Sequence, residues 1–166
     1  MAARTPTPAK RAPQRRDPHR AAVIALLNTH VAVAADLYSQ LKQAHWNVVG
    51  HEFIAVHELF DAQGVIALAH VDLFAERIRS LQGVPAGTVR QAAKASKLPE
   101  LDVRELSVPE AIAEILKRFE LYGASLKDAA KACGDEYDDS ATEDIFIEAL
   151  RAADQQAYFL RSHLAA

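Results

Sequence analysis

The stretch His51-Glu-Phe-Ile-Ala-Val-His57-Glu-Leu-Phe-Asp61-Ala-Gln-Gly-Val-Ile-Ala-Leu-Ala-His70-Val-Asp72-Leu-Phe-Ala-Glu76-Arg-Ile-Arg-Ser-Leu81 decides how this chain is read. It holds no proline, and its spacing predicts one long helix from about Glu52 to Leu81, stopped by Gly83 and Pro85. The middle, Ala62 to Ala69, carries no charge. A helix apolar on every side is ordinarily buried on every side. This segment is therefore covered either within the subunit or where a second copy of the same helix crosses it. Gly64 costs about 1 kcal/mol relative to alanine in a helix interior, which a close neighbour would offset.

On the N-terminal side, Leu27, Val31, Ala34, Tyr38, Leu41, His45 and Val48 step by threes and fours. They mark the apolar stripe of a long first helix, opened by Asp17-Pro18 as cap and first-turn proline and ended by Gly50. On the C-terminal side, residues 82–106 form a long connection with Pro85 and Pro99 and room for a short helix between Thr88 and Lys97. Ser107-Val-Pro-Glu110 is a capping box that opens a third long helix, with Val108, Ile112, Ile115, Phe119, Tyr122, Leu126 and Ala129 inward and Gly134 at its end. Ser140-Ala-Thr-Glu143 reads as a second capping box, with Phe146, Ala149, Ala153, Ala157, Leu160 and Leu164 inward. There is no strand-like alternation and no internal repeat. Four long helices with one long connection between the second and third predict an all-α, ferritin-like bundle with a crossover.

Length and composition agree. The 166 residues suit one domain with one sizeable core, and 50% hydrophobic with 25% charged is the balance of a globular protein. No uncharged apolar run reaches the ~18 residues of a membrane span. The N-terminus lacks an apolar secretory core, so no signal peptide is expected, and a cytoplasmic location fits. The single Cys133 excludes an intrachain disulfide and a multi-cysteine zinc site, and reads as a small buried filler near a helix end. Net charge is -3. Arg4, Lys10, Arg11, Arg15, Arg16 and Arg20 against Asp17 give the first twenty residues +5, which leaves -8 on the rest. Residues 1–16, with Pro6, Pro8 and Pro13, are expected to form a flexible basic arm on a domain spanning 17–166.

Five side chains carry the candidate chemistry: His45, His57, Asp61, Asp72 and Glu76. His57 and Asp61 share a helix face, as do Asp72 and Glu76, each pair being four residues apart. His45 ends the first helix, a short turn from His57. Asp72 lies fifteen residues beyond His57, roughly 22 Å along the axis, while a metal–ligand bond is about 2 Å. One chain thus offers half a site at each end of one helix. An antiparallel partner related by a two-fold axis would complete two equivalent sites. Imidazole and carboxylate together suit a redox-active first-row metal such as iron. Taken singly, a histidine near a helix end is more often a packing residue, and carboxylates four apart are more often a solvated face.

The wording around these residues is specific. Lys42-Gln-Ala-His45-Trp46-Asn-Val48, Phe53-Ile-Ala-Val-His57-Glu-Leu-Phe-Asp61 and His70-Val-Asp72-Leu-Phe-Ala-Glu76-Arg77 closely resemble the Dps family, the mini-ferritins that protect DNA, over nearly all of residues 20–164. The resemblance implies a hollow dodecameric shell. It implies that His45, His57 and Asp61 of one subunit, with Asp72 and Glu76 of its neighbour, hold one or two iron ions. Ferrous iron would be oxidised there, preferably by hydrogen peroxide, with ferric mineral collecting inside. Trp46 matches a tryptophan beside the family's site, and Tyr158 stands where the family has a second aromatic; core packing is the plainer reading of both. Asp139 and Glu143 fall where the family has a cation-admitting pore, although helix capping is as good an account of either. Family members carry charges over residues 62–69, and their absence here removes candidate mineral-nucleating carboxylates while leaving the five ligands in place.

The arm resembles the basic tails with which some members bind DNA, which places Arg4, Lys10, Arg11, Arg15 and Arg16 as non-specific phosphate contacts on a nucleoid-associated shell. Two other readings stay open: a nucleoid-compacting DNA-binding shell whose metal site is secondary, and a purely structural helical assembly.

Overall fold

A computed structural model of the chain describes residues 18–164. Its elements run α1 (Pro18–Asn47), β1 (Val48–Val49), α2 (Phe53–Ser80), α3 (Val89–Ala95), β2 (Leu106–Ser107), α4 (Val108–Asp135) and α5 (Ser140–Leu164). Two antiparallel hairpins, α1 with α2 and α4 with α5, pack face to face, and the long connection crosses the bundle with α3 laid on α1. The expected stripes are the core: Leu27, Val31, Ala34, Leu41, Ile112, Ile115, Phe119, Tyr122, Leu126, Phe146, Ala149, Ala153 and Leu160 are all buried, whereas Leu164, expected inward, is exposed in the last turn of α5. Cys133 is buried near the end of α4, as a filler should be.

Several local expectations shift. The first helix stops at Asn47, short of Gly50, because Val48 and Val49 pair in parallel with Leu106 and Ser107. That two-residue ribbon, invisible as an alternating pattern, pins the α1–α2 turn to the start of α4. At the end of α2 the left-handed residue is Gln82 (φ 61), not Gly83. The bonds from the Gln82 N–H to Arg79 O and from the Gly83 N–H to Ile78 O close a Schellman turn. Gly83 is needed for closeness instead, since a Cβ there would lie 2.8 Å from Ile78 Cγ2. Helix α4 runs past Gly134 to Asp135.

The Ser107–Glu110 capping box is present, with the Ser107 N–H and hydroxyl both donating to the Glu110 carboxylate at 3.0 and 2.6 Å. The second box is not the one expected. Asp139, one residue before Ser140, caps α5: its carboxylate accepts the Thr142 N–H at 3.0 Å and the Thr142 hydroxyl at 2.7 Å. By length and mean hydropathy α1 and α2 would each suffice to cross a membrane, which a count of uncharged runs did not anticipate. The core helix of a bundle has the same composition.

Buried polar groups lock the bundle. The Arg118 side chain is 1% exposed; it donates to the Gln40 side-chain oxygen, to Glu114 on its own helix (2.7 Å) and to the Glu100 carbonyl of the crossover (3.1 Å). At the centre, His70 Nδ1 lies 3.0 Å from the Tyr122 hydroxyl. Burial pushes the His70 pKa down to about 4, and that of His30 in the same direction. Unfolding exposes a histidine that takes up a proton below about 6.5. Between those two values the unfolded chain binds more protons, so stability falls as the pH drops. For His70 the loss reaches on the order of 3 kcal/mol at the acid end. Denaturant midpoints at pH 7 and pH 5 should show this fall, and His70→Gln should remove much of it.

Candidate metal centre

The α1–α2 turn brings the two histidines together. It uses Gly50 (φ 118) and holds Glu52 in the left-handed region (φ 66), so the chain reverses in a few residues. The His45 and His57 rings stack with centroids 3.5 Å apart. Their backbone contacts are reciprocal: His45 Nδ1 lies 2.8 Å from the His57 carbonyl, and His57 Nδ1 lies 2.9 Å from the His45 carbonyl. A carbonyl only accepts, so each Nδ1 carries the hydrogen and a neutral ring presents its lone pair at Nε2. Histidines that bind metals are oriented in this way, by a hydrogen bond from the other ring nitrogen.

Asp61 stands beside them, its Oδ1 3.3 Å from His45 Nδ1 and 2.5 Å from Lys42 Nζ. The hydrogen bond from Lys42, with the histidines close by, holds the Asp61 carboxyl below the usual range, so it stays ionised into acid. Lys42 was not among the residues singled out from sequence. It lies one turn before His45 on the same face of α1, and that spacing was the available signal. Its ammonium also sits 5.9 Å from the Trp46 ring centroid, and it binds the same Asp61 oxygen, Oδ1, that lies beside His45.

Asp72 and Glu76 are exposed on α2, well beyond the histidine end. Among the described residues of one subunit, no group of three or more His, Cys, Asp or Glu side chains is arranged to hold a metal ion by itself. Between the two half-sites the uncharged stretch divides by face. Gln63, Gly64 and Ala67 are buried, with Tyr38 against Gly64, whereas Val65 is 68% and Leu68 43% exposed. A groove of about 430 Å³ opens beside Leu68, lined by Lys42, Trp46, Val71 and, from the crossover, Val89 and Ala92. Trp46 is 67% and Tyr158 59% exposed, so neither packs in the core of its own subunit. Tyr158 lines a hollow with Leu59, Phe159, Ser162 and His163.

Asp139 is engaged twice within the chain, capping α5 and accepting the Arg77 guanidinium at 2.9 Å. The Glu143 carboxylate folds over Gly134, 2.8 Å from where a Cβ would stand. Arg4, Lys10, Arg11, Arg15 and Arg16 lie outside the described residues.

Comparison with known proteins points the same way. The ferritin-like domain family matches residues 24–166. A "DNA protection during starvation protein" of Agrobacterium fabrum is 32% identical over 145 residues, covering 87% of this chain and 89% of that protein. A Dps protein from Bacillus brevis superposes with a TM-score of 0.84 at 30% identity, over 90% of this chain and 99% of that one. Dps from Microbacterium arborescens, solved in a high-iron form, gives 0.83 at 32% identity, over 90% and 97%. The two-hairpin bundle with its crossover, the motifs around His45, His57 and Asp72, and these relatives together place the chain in the Dps family of ferritin-like proteins.

Proposed function

We propose that this protein is a ferroxidase and iron store: a homo-oligomeric shell, a dodecamer by family resemblance, that oxidises ferrous iron at sites shared between two-fold-related subunits. The observation that carries this reading is the reciprocal pair of Nδ1–carbonyl contacts between two stacked rings, which leaves the Nε2 lone pair of each imidazole available for a metal. A solvated surface histidine needs no such preparation. Asp61 adds an ionised oxygen donor, and the partner subunit's Asp72 and Glu76 would supply two more. Nitrogen and hard oxygen donors together suit both the ferrous and the ferric ion. The exposed Val65 and Leu68, lying between the half-sites, are the surface a partner's α2 would cover.

The chain's own groups set the conditions. The imidazoles must be unprotonated to bind, so uptake falls in acid. Lys42 holds Asp61 until a cation displaces it. Two ferrous ions give one electron each to hydrogen peroxide, which with two protons becomes water, and hydrolysis of the ferric product releases protons. Titrating anaerobic ferrous-loaded protein with peroxide tests this: the ferric absorbance should saturate at one peroxide per two irons. A ratio of one to one, or a rate equal to that of free iron, would overturn it.

A second property goes with the first. The relative's name speaks of DNA protection, and the body of this chain is acidic while its first twenty residues are +5. The arm would hold DNA without sequence preference, through counterion release repeated around the shell. A cytoplasmic, nucleoid-associated location follows from that reading.

A further inference from the structure

The basic residues are concentrated in a second place besides the arm. Between Glu76 and Glu100 the chain has Arg77, Arg79, Arg90, Lys94 and Lys97 and no Asp or Glu. Residues 100–164, by contrast, hold fifteen acidic and seven basic side chains. Two of the five crossover-region cations are engaged within the fold: Arg77 binds Asp139 and Thr142, and Arg79 donates to the Gly83 carbonyl. Arg90, Lys94 and Lys97 are exposed, and none of the ion pairs among the described residues uses them.

We infer that Arg90, Lys94 and Lys97 form a second phosphate-contacting stripe for duplex DNA, in addition to the arm; this rests on the DNA-binding part of the functional reading above. Arg90 and Lys94 are one turn apart on α3 and share a face, and Lys97 is the second residue after the helix, just past its cap Ser96. Helix electrostatics accounts for Lys94 and Lys97, which stand at the negative C-terminal end of α3. It does not account for Arg90, which lies in the first turn, where a cation is disfavoured. Three like charges on one short segment repel each other, and none of them has an ion-pair partner among the described residues. A polyanion would neutralise all three at once.

Position supports the same partner. Helix α3 lies on α1, with Lys94 beside Asn28 and Thr29. The arm departs from Pro18, eleven residues before Thr29, or roughly 16 Å along the axis. One duplex can therefore span the stripe and the start of α1, to which the arm is joined. The groove beside Leu68, where the proposed second copy would sit, takes Val89, Ala92 and Ala93 from α3, but neither Arg90 nor Lys94 nor Lys97. A copy seated there leaves the basic face outside.

Lysine acetylation of the full chain, with and without duplex DNA at low salt, reads the stripe directly. Lys94 and Lys97 should lose most of their reactivity on adding DNA, while Lys117, Lys127 and Lys131 on α4 keep theirs. Equal reactivity in both states, or protection already present without DNA, would overturn the stripe; the latter would assign it to the interface between copies. In gel shifts across a salt series, Arg90→Gln/Lys94→Gln/Lys97→Gln should weaken binding at least tenfold at low salt. The slope of log K against log[salt] should flatten by about 0.9 for each phosphate no longer neutralised. Deleting residues 1–16 should leave residual binding that the triple substitution then removes. If the arm deletion abolishes binding while the triple variant binds like the parent, the arm reading stands and the stripe falls. If no form retains DNA, both fall.

Discussion

Replacing His45 and His57 together by alanine should lower the rate of iron oxidation by about a hundredfold or more, with the fold retained. Removing even a residue that merely orients a metal ligand commonly costs 10–100-fold, and here two ligands go. What remains is Asp61, which Lys42 already holds, and whatever the neighbouring subunit supplies. The helices should survive, because the α1–α2 hairpin is held along its whole length by Leu27, Leu41, Val56, Phe60 and Phe74. Circular dichroism and light scattering would verify that. The growth of ferric absorbance after adding ferrous iron and peroxide gives the rate. Parent-like oxidation by this variant would favour the purely structural reading.

Val65→Glu with Leu68→Glu should have a comparable effect by a different route. Both side chains are exposed in the subunit, so charging them removes little intrachain packing, and helix content should not change. Val65 and Leu68 are three residues apart on one face of α2. Across a two-fold axis each new carboxylate meets a second copy of the same surface. Desolvating and repelling charges there should block association. Size exclusion with light scattering should show the parent as a large assembly and the variant as single subunits. Oxidation should be lost with the assembly although all five proposed ligands are untouched. A variant that assembles normally would mean that this face is not where copies meet.

Much of this was legible because the signals are local and mutually consistent. The period of α4 places Val108 to Ala129 inward, and Ser107 with Glu110 satisfies its own first turn wherever the helix packs. The proximity of His45 and His57 followed from a helix end and a short turn. Other features depend on distant residues. Asp138, Asp139 and Ser140 can each cap a helix; Asp139 does so here, and it also receives the Arg77 guanidinium from α2. Gly50 looked like the stop for α1, but the stop is set by Leu106 across the bundle. Gly83 and Gln82 trade roles because Ile78 and Ile24 crowd the glycine and leave the turn to its neighbour. The exchange of Nδ1–H bonds with backbone carbonyls has no sequence signature. The ambiguity over residues 62–69 was one of faces: the stretch packs inward through Gln63, Gly64 and Ala67, and outward it offers Val65 and Leu68.

The sharing of each site between two copies is tested most directly by mixing two inactive variants. One carries His45→Ala and His57→Ala, the other Asp72→Ala and Glu76→Ala, and each alone should be nearly inert. Dissociated, mixed in equal amounts and reassembled, they should regain about a quarter of parental activity: half of the random dimers are mixed, and each mixed dimer has one intact site of two. Mixed shells that stay as inert as their parents, or an Asp72→Ala/Glu76→Ala variant that oxidises iron at the parental rate unaided, would contradict a centre built by two subunits.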